Sequence, residues 1–202
     1  MLDGYYAGLD LGRPAEFTAL AVLERTSRPD PNRPGRELGH FAMRHLERFL
    51  PGTPYPEIGA RVALRYAEPT LAGSTLAVDQ TAAGRPVLDL LCRGRIQARL
   101  RAITITAGLK AVPDVGGGGL VPKAELVSLL QVLLQTRRLK LAEDLPEATT
   151  LKRELQTLRA KLPAEDDSVI DWRERPHDDL VLALAIAAWI AERGRREFRV
   201  WL

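Results

Sequence analysis

Along the first fifty residues the apolar positions come in short runs, the habit of strands rather than helices. Tyr5–Leu11, YYAGLDL, predicts a short buried strand with Asp10 near its end. Gly12, Arg13 and Pro14 predict a turn. Phe17–Leu23, FTALAVL, predicts a second strand, spaced as in a hairpin with a loop of several residues. Arg25–Arg36 is polar and holds three prolines, so it predicts a loop. Leu38–Phe49 predicts a third strand, and the three together predict an antiparallel meander.

After Tyr55 the period changes. Tyr55–Ala67, with Ile58, Val62, Leu64 and Tyr66 apolar and Pro56 near its start, predicts an amphipathic helix. Ser74–Asp79, STLAVD, predicts a short strand ending in an acid. Arg85–Cys92 predicts a helix opened by Pro86, and Leu100–Thr106, LRAITIT, alternates like a strand. Val112–Gly119, VPDVGGGG, predicts no regular structure. Pro122–Thr136 repeats leucine at 126, 129, 130 and 133, a strong amphipathic helix. Leu139–Leu141 predicts a brief strand, and Thr149–Lys161 a helix with Leu151, Leu155, Leu158 and Leu162 inward. An acidic loop, Ala164–Asp171, precedes a last, alanine-rich helix over His177–Arg193. No internal repeat is visible. Three leading strands followed by alternating helices and strands predict an α/β fold: a mixed sheet, antiparallel in front and parallel behind, with helices on both faces.

Composition narrows the class without changing it. Of 202 residues, 46% are hydrophobic and 27% charged, which excludes a disordered tail, a collagen-like rod and a disulfide-stapled miniprotein. The length suffices for one full core, so residues 1–202 are expected to form a single domain. Cys92 is the single cysteine and has no partner within the chain, which suggests a reducing compartment. The longest apolar stretch, Leu180–Ala191, has twelve residues, against the roughly 20 that a bilayer needs. No basic segment precedes an apolar one at the start, so neither a signal peptide nor a membrane partner is expected.

Charge is unevenly placed. The net charge is only +3, but residues 85–140 hold ten bases against three acids, and residues 141–192 hold twelve acids against six bases. Such a division suits a protein that grips a polyanion with one part and gathers cations with another. Arg93, Arg95, Arg99, Arg101, Lys110, Lys123, Arg137 and Arg138 form the candidate track for a polyanionic backbone. Contacts of this kind position a duplex without reading its sequence, and they weaken steeply with salt. Aromatic residues are 5% of the chain, so a stacking platform for single strands has little support.

The candidate chemistry lies in the acids. Asp10 sits inside Gly8-Leu9-Asp10-Leu11-Gly12, Asp79 ends Leu76-Ala77-Val78-Asp79, and Asp178-Asp179 follow Pro176-His177 at the head of the last helix. An ionised acid in an apolar strand is costly unless paired, hydrogen-bonded or metal-bound. The first and fourth strands of such a fold are neighbours, so Asp10 and Asp79 can meet, and a helix across the sheet can deliver Asp179. Its small residues Ala183 and Ala187 permit close approach. Several carboxylates at one point repel, and hard oxygen ligands favour Mg²⁺ or Mn²⁺. Two such ions are the usual apparatus for phosphodiester hydrolysis. With only His40, His45 and His177, a zinc site is not expected. The plainer roles are a turn acceptor for Asp10 or Asp79 and a helix cap for Asp178 or Asp179.

Three stretches carry a resemblance. Tyr6-Ala7-Gly8-Leu9-Asp10-Leu11-Gly12 with Glu16-Phe17-Thr18-Ala19-Leu20, Ala77-Val78-Asp79 with Gly84 and Val87–Leu91, and His177–Ala185 stand in the order found in the nuclease domain of phage large terminase subunits. Val121-Pro122-Lys123 before a helix also resembles that family. The resemblance implies a ribonuclease-H-like fold and a Mg²⁺- or Mn²⁺-dependent endonuclease acting on double-stranded DNA during packaging, with two ions. It implies Asp10, Asp79 and Asp179 as catalytic metal ligands, with Asp178 and Glu16 as accessory acids near the second metal. It further implies a cytoplasmic setting in a host cell and partners such as a packaging ATPase, a small terminase or a portal protein. RuvC-type junction resolvases end in a similar Asp-x-x-x-Ala-Leu-Ala pattern, which favours Asp179 over Asp178, but usually carry a further Asp where Leu182 stands here. The chain contains no G-x-x-x-x-G-K-[ST], so it cannot drive a packaging motor alone. Gly-Leu-Asp-Leu-Gly also resembles the first phosphate loop of actin-like and sugar kinases, whose second half has no counterpart here. A non-enzymatic alternative is a ribonuclease-H-like module that binds nucleic acid or an assembly, and such a module need not keep the acids together.

Overall fold

The computed structural model describes residues 2–81, 84–108, 110–113, 118–160 and 178–193. Three long strands open the chain: β1 (Leu2–Asp10), β2 (Thr18–Pro29) and β3 (Glu37–Phe49). They pair as an antiparallel meander, as the short apolar runs predict. Helix α1 (Tyr55–Tyr66), strand β4 (Thr75–Asp79), helix α2 (Gly84–Arg93) and strand β5 (Arg99–Thr106) follow. Then come β6 (Val112–Pro113), β7 (Gly119–Pro122), α3 (Lys123–Gln135), β8 (Leu139–Lys140), α4 (Ala148–Ala160) and α5 (Asp179–Arg193). The strands form one eight-stranded sheet in the order β6-β7-β5-β4-β1-β2-β3-β8. β4 is parallel to β1, β5 to β4, and β7 to β5, so the ends of β1, β4 and β5 rise at the same side of the sheet.

Two expectations are corrected. Val112–Gly119 was expected to lack regular structure, yet Val112 and Pro113 pair antiparallel with Leu120 and Gly119. Gly119–Pro122 in turn extends the sheet along Ile103–Thr106. Local glycine content argues against a strand, but burying Val121 beside β5 outweighs it. The loop expected over Arg25–Arg36 is also shorter, because β2 continues to Pro29. His177 and the acidic loop Ala164–Asp171 lie outside the described residues.

Helices cover both faces. On one, α1 and α2 bury Ile58, Val62, Tyr66, Val87 and Leu91 against Leu9, Leu20, Val22, Leu76 and Val78. On the other, α5 and α3 pack over Ala19, Ala21, Leu23, Ala77 and Ile103. Every residue of α5 from Asp179 to Ala191 is buried, which fits a helix apolar all round and enclosed by sheet and neighbouring helices. Its approach to the sheet is set by Gly8. A Cβ there would stand 2.2 Å from the Ala183 carbonyl oxygen and 2.6 Å from the Ala187 nitrogen. Among the described residues no helix is long and apolar enough to cross a membrane.

The β2–β3 pairing contains one irregularity. Val22 faces His45 but Leu23 faces Met43, so Arg44 is an extra residue in β3. A bulge of this kind reverses which side chains face which side of the sheet. Phe41 and Met43 point to the α5 side before it, Leu46 after it.

Candidate active site

Asp10 and Asp79 are brought together by strand register. Leu9 is paired with Val78, so the next residues on both parallel strands stand side by side at the strand ends. Gly8 and Ala77, two positions back on each strand, lie under α5, and side chains two apart share a face, so both carboxylates point to the α5 side. The chain must turn sharply after Asp79. A Cβ at Gly84 would stand 1.8 Å from the Asp79 carbonyl oxygen, so the first turn of α2 depends on glycine there. The α5 helix crosses β1 and presents its amino end to the same point. Asp178 occupies its cap position, with its carbonyl accepting the Leu182 N–H at 2.8 Å.

The electrostatics of the cluster follow from this crowding. Burial, and then the charges of Asp79, Asp178 and Asp179, push the Asp10 carboxyl well above the ordinary carboxylate range, with Lys123 opposing. Burial also raises Asp79, offset by hydrogen bonds from Thr81. The Thr81 N–H donates to Asp79 Oδ1 at 2.9 Å, and its hydroxyl donates to the same oxygen. Two cations enter from opposite sides. Lys123 Nζ donates to Asp178 Oδ2 at 2.6 Å, and Arg48 Nη2 donates to Asp179 Oδ1 at 2.7 Å. A fifth acid, Glu154 of α4, lies with its Oε1 3.5 Å from the same Arg48 nitrogen, while its Oε2 accepts the Val181 N–H at 3.2 Å. Burial, followed by the Asp179 charge, pushes Glu154 up to about 8. The Oδ2 of Asp179 and the Oε1 of Glu154 are buried without a hydrogen-bond donor.

Hard oxygen donors, mutual repulsion and an orphaned buried carboxylate oxygen fit a divalent cation. As the side chains stand, no three acids, histidines or cysteines among the described residues are grouped to hold an ion. Asp178 and Asp179 are engaged by Lys123 and Arg48, and Asp79 by Thr81.

Comparison with solved structures identifies the architecture. The nuclease of the large terminase from the thermophilic phage G20c superposes with a TM-score of 0.52 at 20% identity, covering 91% of this chain and 80% of that one. The fold is that of a terminase nuclease domain. The large terminase nuclease domain of bacteriophage SPP1, solved with bound Mn, gives 0.49 at 12% identity, covering 96% and 87%. RuvC of Thermus thermophilus gives 0.43 at 16%, covering 96% of both chains. No family model and no curated protein matches the chain in sequence.

On this terminase-type, ribonuclease-H-like frame the remaining candidates divide. Lys123 stands in the carboxylate cluster, and exposed Lys110 lies in the segment leaving the same end of β5. Glu16 is exposed in the β1–β2 turn, its Oε2 accepting the Arg13 N–H at 2.9 Å. It borders a cleft of about 230 Å³ shared with Pro14, Leu50, Tyr55 and Ile58. The arginines cluster elsewhere. Thr75 pairs with Arg99 and Asp79 with Ile103, so Arg99 lies four residues, roughly 13 Å, from the level of Asp79. Arg101 shares its face, and Arg93 and Arg95 follow α2 back to that same end. Arg137 is exposed, whereas Arg138 pairs with Glu192 and lies over Phe41 at the β3–β8 edge. Sequence reasoning missed Arg48 and Glu154. Glu154 left a signal, since it shares the three-and-four stripe of Leu151, Leu155 and Leu158.

Proposed function

We propose that this chain is a metal-dependent endonuclease that hydrolyses phosphodiester bonds in double-stranded DNA. The observation that carries the reading is the convergence of Asp10 and Asp79, at adjacent parallel strand ends, with Asp178 and Asp179 at the amino end of α5. A chain keeping such a cluster loses folding stability for it, which supports an enzyme over an assembly module.

Asp10, Asp79 and Asp179 would hold Mg²⁺ or Mn²⁺, with Asp178 and Glu16 as accessory acids. Two ions bound there supply charge neutralisation at the phosphate and an activated water. The chain's own groups do the rest. The amino end of α5 contributes the positive end of its dipole beneath the acids. Lys123, held by Asp178 at the rim, offers an ammonium to a phosphate oxygen, and Lys110 lies at the same end of the sheet. Arg93, Arg95, Arg99 and Arg101 would hold the duplex backbone farther along the domain. Translocation of DNA would need an ATPase, in keeping with a role at the end of packaging.

Supercoiled plasmid incubated with the protein should be nicked and then linearised in Mn²⁺ or Mg²⁺ and left intact in EDTA. Asp79→Asn should reduce cleavage to the EDTA level while its melting temperature does not fall, because the change relieves repulsion. Cleavage persisting in that variant would remove Asp79 from the reaction.

A further inference from the structure

Arg48 reaches the carboxylate cluster because of the bulge at Arg44. Ala19 pairs with both Asp10 and Arg48, so these residues form one row across three strands, all on the α5 face. Without the extra residue the alternation would put Arg48 on the α1 face, the face on which Glu47 now meets Arg61. Turned inward, its guanidinium lies 3.7 Å from the centre of the Phe17 ring and donates to Asp179 Oδ1. A planar, weakly hydrated, permanently charged group suits a half-buried position between a ring and a carboxylate.

The contact is one-sided. Arg48 takes Oδ1 and leaves Oδ2 of Asp179 buried without a donor. Arginine–carboxylate pairs are frequently bidentate, yet here both Asp179 Oδ2 and Arg48 Nε stay buried without a hydrogen-bond partner. Glu154 fixes the same turn of α5 from the other side through the Val181 N–H. The first turn of α5 is thus clamped by β3 and α4, with one carboxylate oxygen left over.

We propose that Arg48 is a positioning residue for metal binding: it holds Asp179 by one oxygen so that the other faces the ion shared with Asp10 and Asp79. The proposal rests on the metal-site reading above. A group that orients a ligating carboxylate sets metal affinity, typically by 10- to 100-fold.

The test is Mn²⁺ binding to the DNA-free protein by titration calorimetry, with a thermal melt of each variant. Arg48→Gln should weaken Mn²⁺ binding about 10- to 100-fold. Arg48→Lys, which keeps one donor and the charge, should recover part of the loss. If Arg48→Gln does not fold, Arg48→Lys decides alone, with binding between wild type and Asp79→Asn expected. A lowered melting temperature with Mn²⁺ affinity unchanged or tighter, in whichever variant decides, would overturn the proposal while Asp79→Asn still showed the site to be real. A wild-type protein that takes up no Mn²⁺ would overturn both readings.

Discussion

At the carboxyl end of α5, Glu192 pairs with Arg138 and Arg193 pairs with Glu125 of α3, whose carboxylate also accepts the Trp189 indole N–H. Beneath them Arg25 pairs with Asp3, close enough to Gly39 that a side chain there would press on both Arg25 and Glu192. Each of these six charges has one opposite partner. Of these groups the Arg25, Asp3 and Arg138 side chains are largely buried, while Glu192, Arg193 and Glu125 keep about a third of their side chains exposed. At the amino end, Asp10, Asp79, Asp178, Asp179 and Glu154 face only Arg48 and Lys123 among the described residues. The difference teaches that burial alone does not require an unbalanced cluster: the fold can satisfy its charges, and at one end it does not.

The comparison is broken most severely by removing a matched charge. Arg25→Met leaves Asp3 without its ion pair at the balanced end, and should cost about 3–5 kcal/mol of stability. Chemical denaturation would measure it, and cleavage per folded molecule should survive. A stable variant that had lost cleavage would mean that the two ends are not separable. Gly8→Ala strikes the element both ends share. The new methyl would meet the Ala183 carbonyl, so overpacking should cost about 1–3 kcal/mol and lower cleavage by lifting α5 from the acids. Wild-type stability and activity together would show that α5 accommodates it freely.

Acidity sharpens the contrast more gently. Asp10 and Glu154 hold protons more tightly in the folded chain than in the unfolded one. Their contribution to stability is therefore present at low pH and is lost as pH rises through the folded values, near 8 for Glu154. In EDTA the melting temperature should fall between pH 6 and pH 9, and Glu154→Gln should flatten that fall. A melting temperature that rose over this range would contradict the acid excess. The smallest effect is expected from the arginine cluster. Arg99 and Arg101 changed together to Ala should weaken DNA binding and reduce its salt slope by up to about 2. An unchanged slope would show that this end of β5 does not touch DNA.

Much of this was legible in the chain. Apolar runs and periods marked the meander, the parallel strands and the all-apolar last helix, because burial imposes those patterns locally. Asp10 and Asp79 were readable since each ends a strand whose neighbour could be inferred. Lys123 was readable as one cation among eight and as part of Val121-Pro122-Lys123, but its place beside the acids was not. Its distinction from Arg99 is a matter of which end of a parallel strand each occupies, and a charge count along the sequence does not contain that. Val112–Pro113 and Gly119–Pro122 were hidden because their pairing energy comes from Ile103–Thr106 rather than from their own residues.

What the sequence by itself determined is the order of strands and helices, β6 and β7 apart, and the identity of the acids at the cluster's centre, for both follow from short-range pattern and from the cost of burying a carboxylate. What only tertiary structure decided is who stands beside those acids. One extra residue at Arg44 turns Arg48 through the sheet, and the absence of a Cβ at Gly8 sets how near Asp179 can come. Parity along a bulged strand and the distance between packed backbones are properties of the pairing, not of any single segment.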